Sequence, residues 1–194
     1  MEPIILASAS PRRQEILKNL GIPFTIVPDY TKEENDLSIT PAELAESIAI
    51  KKVKNAAKIT AGQNVPWILG ADTLISANGE VFGKPDNRDE AYKMISSFSG
   101  KTHQVITSLA LFSNTTHLLT TRISQNDVTF ITMTNQQIEQ YLDTGEWQGV
   151  AGGYRIQGLA SYFISKISGT YSSIMGLPIN DFYDILSEQG YEFF

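Results

Sequence analysis

Four short stretches of this 194-residue chain combine residue types that can hold an anion or move a proton. The first is Ser8-Ala9-Ser10-Pro11-Arg12-Arg13. The unpaired N–H groups and positive dipole end of a helix start suit an anion. Two arginines in a first turn oppose that dipole, and guanidinium forks match phosphate geometry, so a bound phosphate would offset their cost. The alternative is an ordinary capped helix whose arginines lie in solvent or pair with acidic neighbours.

The second is Lys52, which falls on one helical stripe with Leu44, Ile48 and Ala56. Such a lysine is either a snorkelling boundary residue, the commoner case, or a cation held toward an interior cleft. The third joins Gly70-Ala71-Asp72-Thr73 through Asn78-Gly79 to Gly83-Lys84-Pro85. If Asn78 and Gly79 form a two-residue hairpin, Ala77 pairs with Glu80 and the count places Thr73 opposite Lys84. Asp72 and Lys84 are then neighbours, as a cross-strand ion pair or as a carboxylate base or metal ligand beside a phosphate clamp. The fourth, residues 145–158, holds five glycines together with Trp147, Tyr154 and Gln157. Glycine allows close backbone approach to a ligand, and a glutamine amide can read a base. The alternative is a long flexible connection, although such loops in compact domains are more often functional.

These stretches need elements to position them. The apolar run Ile4-Ile5-Leu6-Ala7 predicts a buried strand, and Ser10 with Pro11 predicts an N-cap and first helical residue. Phe24 to Val27 predicts a second strand, followed by a polar, acidic loop. Thr40-Pro41-Ala42-Glu43 is a capping box opening a helix to about Ile59. Pro66 to Ile75 reads as an apolar strand leading to the Asn78-Gly79 hairpin, and Arg88 to Phe98 as a helix. Residues 102–112, 117–124 and 128–133 are expected to form three strands of an antiparallel meander. Thr134 and Gln137 cap another helix, a strand follows at 162–167, and a last helix starts after Pro178. Crossovers mixed with hairpins predict one continuous domain, residues 1–194, of the α/β class with a mixed sheet.

Composition excludes several functions. There is no cysteine, hence no disulfide, thiolate metal site or cysteine nucleophile. A net charge of −6 argues against a general nucleic-acid binder, while a few local cations can still receive a phosphorylated small molecule. No stretch reaches the length of a membrane span or a signal peptide, so the expectation is a soluble cytoplasmic protein without a membrane partner. The two histidines, His103 and His117, lack a second nitrogen ligand at zinc spacing. A metal would be held by carboxylates and substrate phosphates, which points to magnesium or manganese. Gly79 to Pro85 does not have P-loop spacing, and no Gly-x-Ser-x-Gly elbow occurs.

Taken in order, the motifs resemble the Maf family. They are Ser-x-Ser-Pro-Arg-Arg at Ser8 to Arg13, the lysine helix at Ile48 to Val53, Gly-Ala-Asp-Thr at Gly70 to Thr73, and Gly-Lys-Pro at Gly83 to Pro85. Further along come Ser-Gly-x-Thr-His-x-Val at Ser99 to Val105, Ala-Gly-x-Tyr-x-Ile-Gln-Gly at Ala151 to Gly158, and Gly-Leu-Pro at Gly176 to Pro178. The resemblance implies a two-lobed α/β fold with flanking helices around a mixed sheet, related to the inosine-triphosphate pyrophosphatase architecture and often a homodimer. It implies hydrolysis of a nucleoside triphosphate to the monophosphate and pyrophosphate with a divalent cation, Mg2+ or Mn2+. By the same resemblance Asp72 accepts a proton from water and helps hold the metal. Arg13, Lys52 and Lys84 hold phosphates, in a pocket entered at Ser8 and Ser10. Glu33, in the acidic loop, positions metal or water. Arg12, Thr73 and Gln157 set specificity, and Gln157 with the paired arginines resembles the branch that prefers dTTP and UTP. The other branch acts on 7-methyl-GTP and related nucleotides. A non-enzymatic alternative is a nucleotide-binding regulator of cell division, after the family's association with septum formation. The chain departs from the common family pattern at Val150 (often lysine), Ser108 (usually glycine) and Ser173 (commonly asparagine).

Overall fold

The computed structural model describes residues 1–29, 38–63 and 65–193. In chain order the elements are β1 (Ile4–Leu6), α1 (Pro11–Asn19), β2 (Phe24–Ile26), α2 (Pro41–Ile59), β3 (Trp67–Ala77), β4 (Glu80–Phe82) and α3 (Arg88–Phe98). Then follow β5 (Thr102–Ser113), β6 (Leu119–Phe130), α4 (Asn135–Asp143), β7 (Ile164–Ser168), α5 (Tyr171–Met175) and α6 (Ile179–Glu188). Six strands take the order β2-β1-β3-β5-β6-β7, and β4 pairs with β3. β1 is parallel to both β2 and β3, whereas β4 and β7 pair antiparallel, so the sheet is mixed and the class is α/β as expected.

The chain forms two compact units. The first comprises Met1–Asp72, Thr107–Ser124 and Gly176–Phe194; the second comprises Thr73–Ile106 and Gln125–Met175. In the first unit, β1 is wholly apolar because parallel neighbours flank it and both of its faces are buried. α2 begins at the expected capping box: Thr40 Oγ1 accepts from the Glu43 N–H, and the Glu43 carboxylate accepts from the Thr40 N–H. It buries Leu44, Ala45, Ile48, Ala49, Val53 and Ala56, of which Ala49, Val53 and Ala56 pack with Ile5, Ala7, Ile68 and Ala110. Helix and strand meet at Gly70. A Cβ there would lie 2.5 Å from the Ala49 carbonyl oxygen and 2.7 Å from Val53 Cγ2, so only glycine fits.

The second unit is built on Ile75, Ala91, Ile95, Phe98, Val105, Val128, Phe130, Ile138 and Tyr141. At its centre the His103 ring stacks on Phe98 with centroids 4.3 Å apart. The β3–β4 hairpin turns at Asn78 (φ 51°) and Gly79 (φ 81°), the two left-handed residues of a type I′ turn, and Ala77 pairs with Glu80 as the count requires.

Three expectations change. Residues 117–124 and 128–133 are not separate strands; β6 runs unbroken from Leu119 to Phe130. The polar stretch Gln125-Asn126-Asp127 suggests a turn, yet Asn126 points inward with its amide satisfied. Its Nδ2 donates to Ser173 Oγ at 2.7 Å and its Oδ1 accepts from the Thr170 N–H at 2.8 Å. The strand expected at 162–167 begins only at Ile164, because Leu159–Phe163 is a 3-10 turn. α5 was not expected from its short, serine-rich sequence.

Candidate active site

In the first unit the turn into α1 forms as the sequence suggests. Ser10 is extended (φ −60°, ψ 116°), Pro11 opens the helix, and no acidic residue occupies the first turn. Ser10 places no side-chain cap on the helix, and its own N–H donates to Ser8 Oγ at 3.2 Å. The adjacent arginines separate in role. Arg13 is buried: its Nε donates to the Gly176 carbonyl at 2.7 Å and its Nη1 to Ser8 Oγ at 2.9 Å. It therefore ties the turn to Gly176-Leu177-Pro178, all three of which are buried. Arg12 is half-buried.

Lys52 is not a snorkelling boundary residue. Its Nζ donates to Asp72 Oδ1 at 2.7 Å, with the two side chains 12% and 6% exposed. The pair exists because α2 is seated on the strand at Gly70, which brings the helix stripe against the strand that carries Asp72. Removing two charges from water is costly, and their mutual attraction offsets that cost only while both remain. A buried carboxylate held by an ammonium can receive a proton from water or contribute one oxygen to a hard cation. Magnesium-type ions take one or two carboxylates and complete their shell with water and phosphate oxygens. Among the described residues no group of three or more acidic or histidine side chains could hold a metal by itself. Asp72 could contribute one oxygen to such a cation, whose remaining shell water and phosphate oxygens would complete. Glu33, the other expected metal or water residue, lies outside the described residues.

In the second unit Thr73, which follows Asp72 along β3, is half-buried. The hairpin ladder stops at Ile75–Phe82, ahead of the expected Thr73–Lys84 pair. The reason is local. The Gly83 carbonyl is diverted to the Gly152 N–H at 2.8 Å, and Pro85 has no N–H to continue a ladder. Lys84 is exposed and makes no hydrogen bond or ion pair among the described residues.

The glycine-rich stretch is held at several points rather than being a loose connection. Gly152 (φ 66°) and Gly153 (φ 70°) are left-handed, and a Cβ on Gly152 would lie 2.2 Å from Ile75 Cδ1. The Tyr141 hydroxyl donates to the Gly153 carbonyl at 3.1 Å, and the buried Tyr154 hydroxyl meets His103 Nε2 at 2.8 Å. Burial lowers the His103 pKa to about 4, so its ring is neutral, and it raises those of both tyrosines. Gln157 stands exposed on this braced stretch, with no partner among the described residues.

The sequence did not single out the roles of His103, Tyr154 and Asn126. One signal was available for His103, which by strand alternation shares a face with Val105 while Thr102 and Gln104 lie on the other. The departures are accommodated: Val150 is buried, Ser108 is fully buried with its hydroxyl donating to the Arg122 carbonyl at 3.4 Å, and Ser173 accepts from Asn126. No helix among the described residues is long and apolar enough to cross a membrane.

Known proteins are similar to this chain over nearly its full length. A "dTTP/UTP pyrophosphatase" of Desulforamulus reducens is 44% identical over 192 residues, covering 99% of each chain. One of the same name from Symbiobacterium thermophilum is 40% identical over 194 residues, covering 100% of this chain and 97% of the relative. Among solved structures, a nucleoside-triphosphatase / dITP/XTP pyrophosphatase from Mycobacterium abscessus matches with 14% identity and a TM-score of 0.43, over 68% of this chain and 75% of that one. The family model for Maf-like proteins matches residues 3–189, and the chain belongs to the Maf family.

Proposed function

We propose that this chain hydrolyses nucleoside triphosphates, dTTP and UTP foremost, to the monophosphate and pyrophosphate. The observation that carries the reading is the buried Asp72–Lys52 pair at 2.7 Å, in a chain with full-length relatives of that name. Water adds across the bond between the α- and β-phosphates: its hydroxyl passes to phosphorus, its proton to Asp72, and the bridging P–O bond breaks. Lys52 keeps the carboxylate in place and meets charge developing on the phosphate oxygens, and Lys84 is a further phosphate contact in this reading. Arg13 holds the Ser8–Ser10 turn in the shape that receives phosphate. Arg12, Thr73 and Gln157 select the base; a uracil or thymine ring offers two carbonyls and one N–H, which a glutamine amide can complement. A divalent cation, Mg2+ or Mn2+, would be held by Asp72 and, in this reading, Glu33, and would supply Lewis-acid stabilisation of the phosphoryl oxygens. The setting is cytoplasmic, with the protein as a homodimer; the net charge of −6 disfavours nucleic acid as a partner.

The test is pyrophosphate release from dTTP, UTP, CTP, GTP and 7-methyl-GTP, with and without EDTA. dTTP and UTP are expected to be turned over fastest, EDTA to abolish release, and Asp72→Asn to lower it by about a hundredfold or more. An Asp72→Asn enzyme as fast as the parent removes Asp72 from its role. Tight nucleotide binding without product over hours removes the enzymatic reading altogether.

A further inference from the structure

Gln157 is exposed on the glycine-rich stretch with no partner among the described residues, so what places it is the backbone beneath it. That backbone is gripped on both sides. Ile156 is buried, and just after Gln157 the Leu159 N–H donates to both carboxylate oxygens of half-buried Glu146, at 3.0 and 2.9 Å. A hydrogen bond to an ionised acceptor is about twice as strong as a neutral one. Gly158 shows that the seat is built. Its φ of −108° is open to any residue, so glycine is not needed for conformation. A side chain there would displace the carboxylate, because a Cβ would lie 2.4 Å from Glu146 Oε2 and 2.7 Å from Cδ.

We infer that Glu146 is a specificity-positioning residue: its carboxylate fixes the Gln157-Gly158-Leu159 backbone so that the Gln157 amide is presented in the one direction that reads the base. The inference rests on the base-reading role proposed above for Gln157. Glu146 does not touch substrate and acts through the backbone alone. Losing it frees the Gln157 backbone, so the correct base loses affinity while the phosphate chemistry continues.

The test compares steady-state kinetics on UTP and GTP for the parent, Glu146→Ala, Glu146→Gln, Gly158→Ala and Gln157→Ala, with a thermal melt of each. Glu146→Ala is expected to raise KM for UTP about tenfold, change kcat by less than about threefold, and reduce the UTP-over-GTP ratio of kcat/KM by about tenfold. Glu146→Gln keeps one acceptor oxygen and should retain the ratio to within about threefold. Gly158→Ala pushes the carboxylate aside without removing it and should reproduce the loss, which carries the test if Glu146→Ala fails to fold. The inference is overturned if either variant keeps the full ratio while Gln157→Ala loses it, or if Glu146→Ala lowers kcat on both nucleotides equally. If Gln157→Ala itself leaves the ratio intact, the base-reading role falls and this inference with it.

Discussion

Gly70 is where the fold and the chemistry of the first unit can be perturbed together. It is not among the left-handed glycines, so a Gly70→Ala substitution acts through space alone. The new Cβ would stand 2.5 Å from the Ala49 carbonyl oxygen, against an ordinary contact that begins at 3.4 Å. The shortfall, roughly 0.9 Å, cannot be absorbed by a rotamer, because the obstacle is helix backbone. The helix must lift from β3. Overpacking of this kind costs about 1–3 kcal/mol, and a rigid obstacle argues for about 3. For a protein of this size that is a fall in Tm of about 6–12 °C. Lys52 lies three residues along the same helix, so the lift also stretches its 2.7 Å contact with Asp72. Lysine is flexible enough to recover part of the distance, and turnover should fall by about tenfold rather than the hundredfold of a fully misplaced group. Thermal melts and pyrophosphate release measure the two effects. Gly83→Ala is the control for stability, since a Cβ there meets nothing within 4 Å. A Gly70→Ala protein that melts within about 1 °C of the parent refutes the close seat of α2 on β3 and the account of why Lys52 reaches Asp72.

Two more predictions follow from buried polar groups. Lys52→Met leaves Asp72 buried without its ammonium and should cost about 3 kcal/mol in urea unfolding, while the double variant Lys52→Met, Asp72→Leu regains most of the stability and none of the turnover; equal stability of all three forms would show that the pair carries no such energy. His103 has a folded pKa of about 4, below the 6.5 of the unfolded chain. The unfolded state therefore binds more protons between those values, and stability is full above pH 6.5 and is lost as the pH falls toward 4, by about 3 kcal/mol. His103→Gln, which keeps a partner for the Tyr154 hydroxyl, should flatten that acid limb; an unchanged limb assigns it to other groups.

What could be read from the sequence followed local rules. The capping boxes at Thr40 and Thr134 and the Asn78-Gly79 turn are short-range motifs whose partners lie three or fewer residues away, and each formed as expected. What could not be read needed a distant partner. Asn126 looks like a turn residue until Ser173, 47 residues on, is seen to accept its amide. The stripe through Lys52 favoured a boundary lysine because spacing within a helix says nothing about the strand it meets. The count from Ala77–Glu80 to Thr73–Lys84 assumed that the ladder continues, whereas Gly83 had a better acceptor role toward Gly152. Glu146 gave no signal because its partner is a main-chain N–H, which carries no residue identity.

The paired arginines show how this distinction bears on the anion reading. Two cations at a helix start oppose the dipole, and from the sequence an anion was one way to offset both. Successive helical residues point about 100° apart, so Arg12 and Arg13 meet different surroundings. Arg13 turns inward, and its planar fork serves a carbonyl and a hydroxyl at once, which a lysine ammonium on a flexible stem would hold less well. Its unfavourable position at the dipole is thus offset by buried hydrogen bonds to the protein, about 1.5–3 kcal/mol apiece for a charged donor. At this turn the argument for an anion rests on the helix dipole and on a Ser10 that leaves the first turn without a side-chain cap. A phosphate there would gain most from the backbone N–H groups, with Arg13 setting the shape of the turn that presents them.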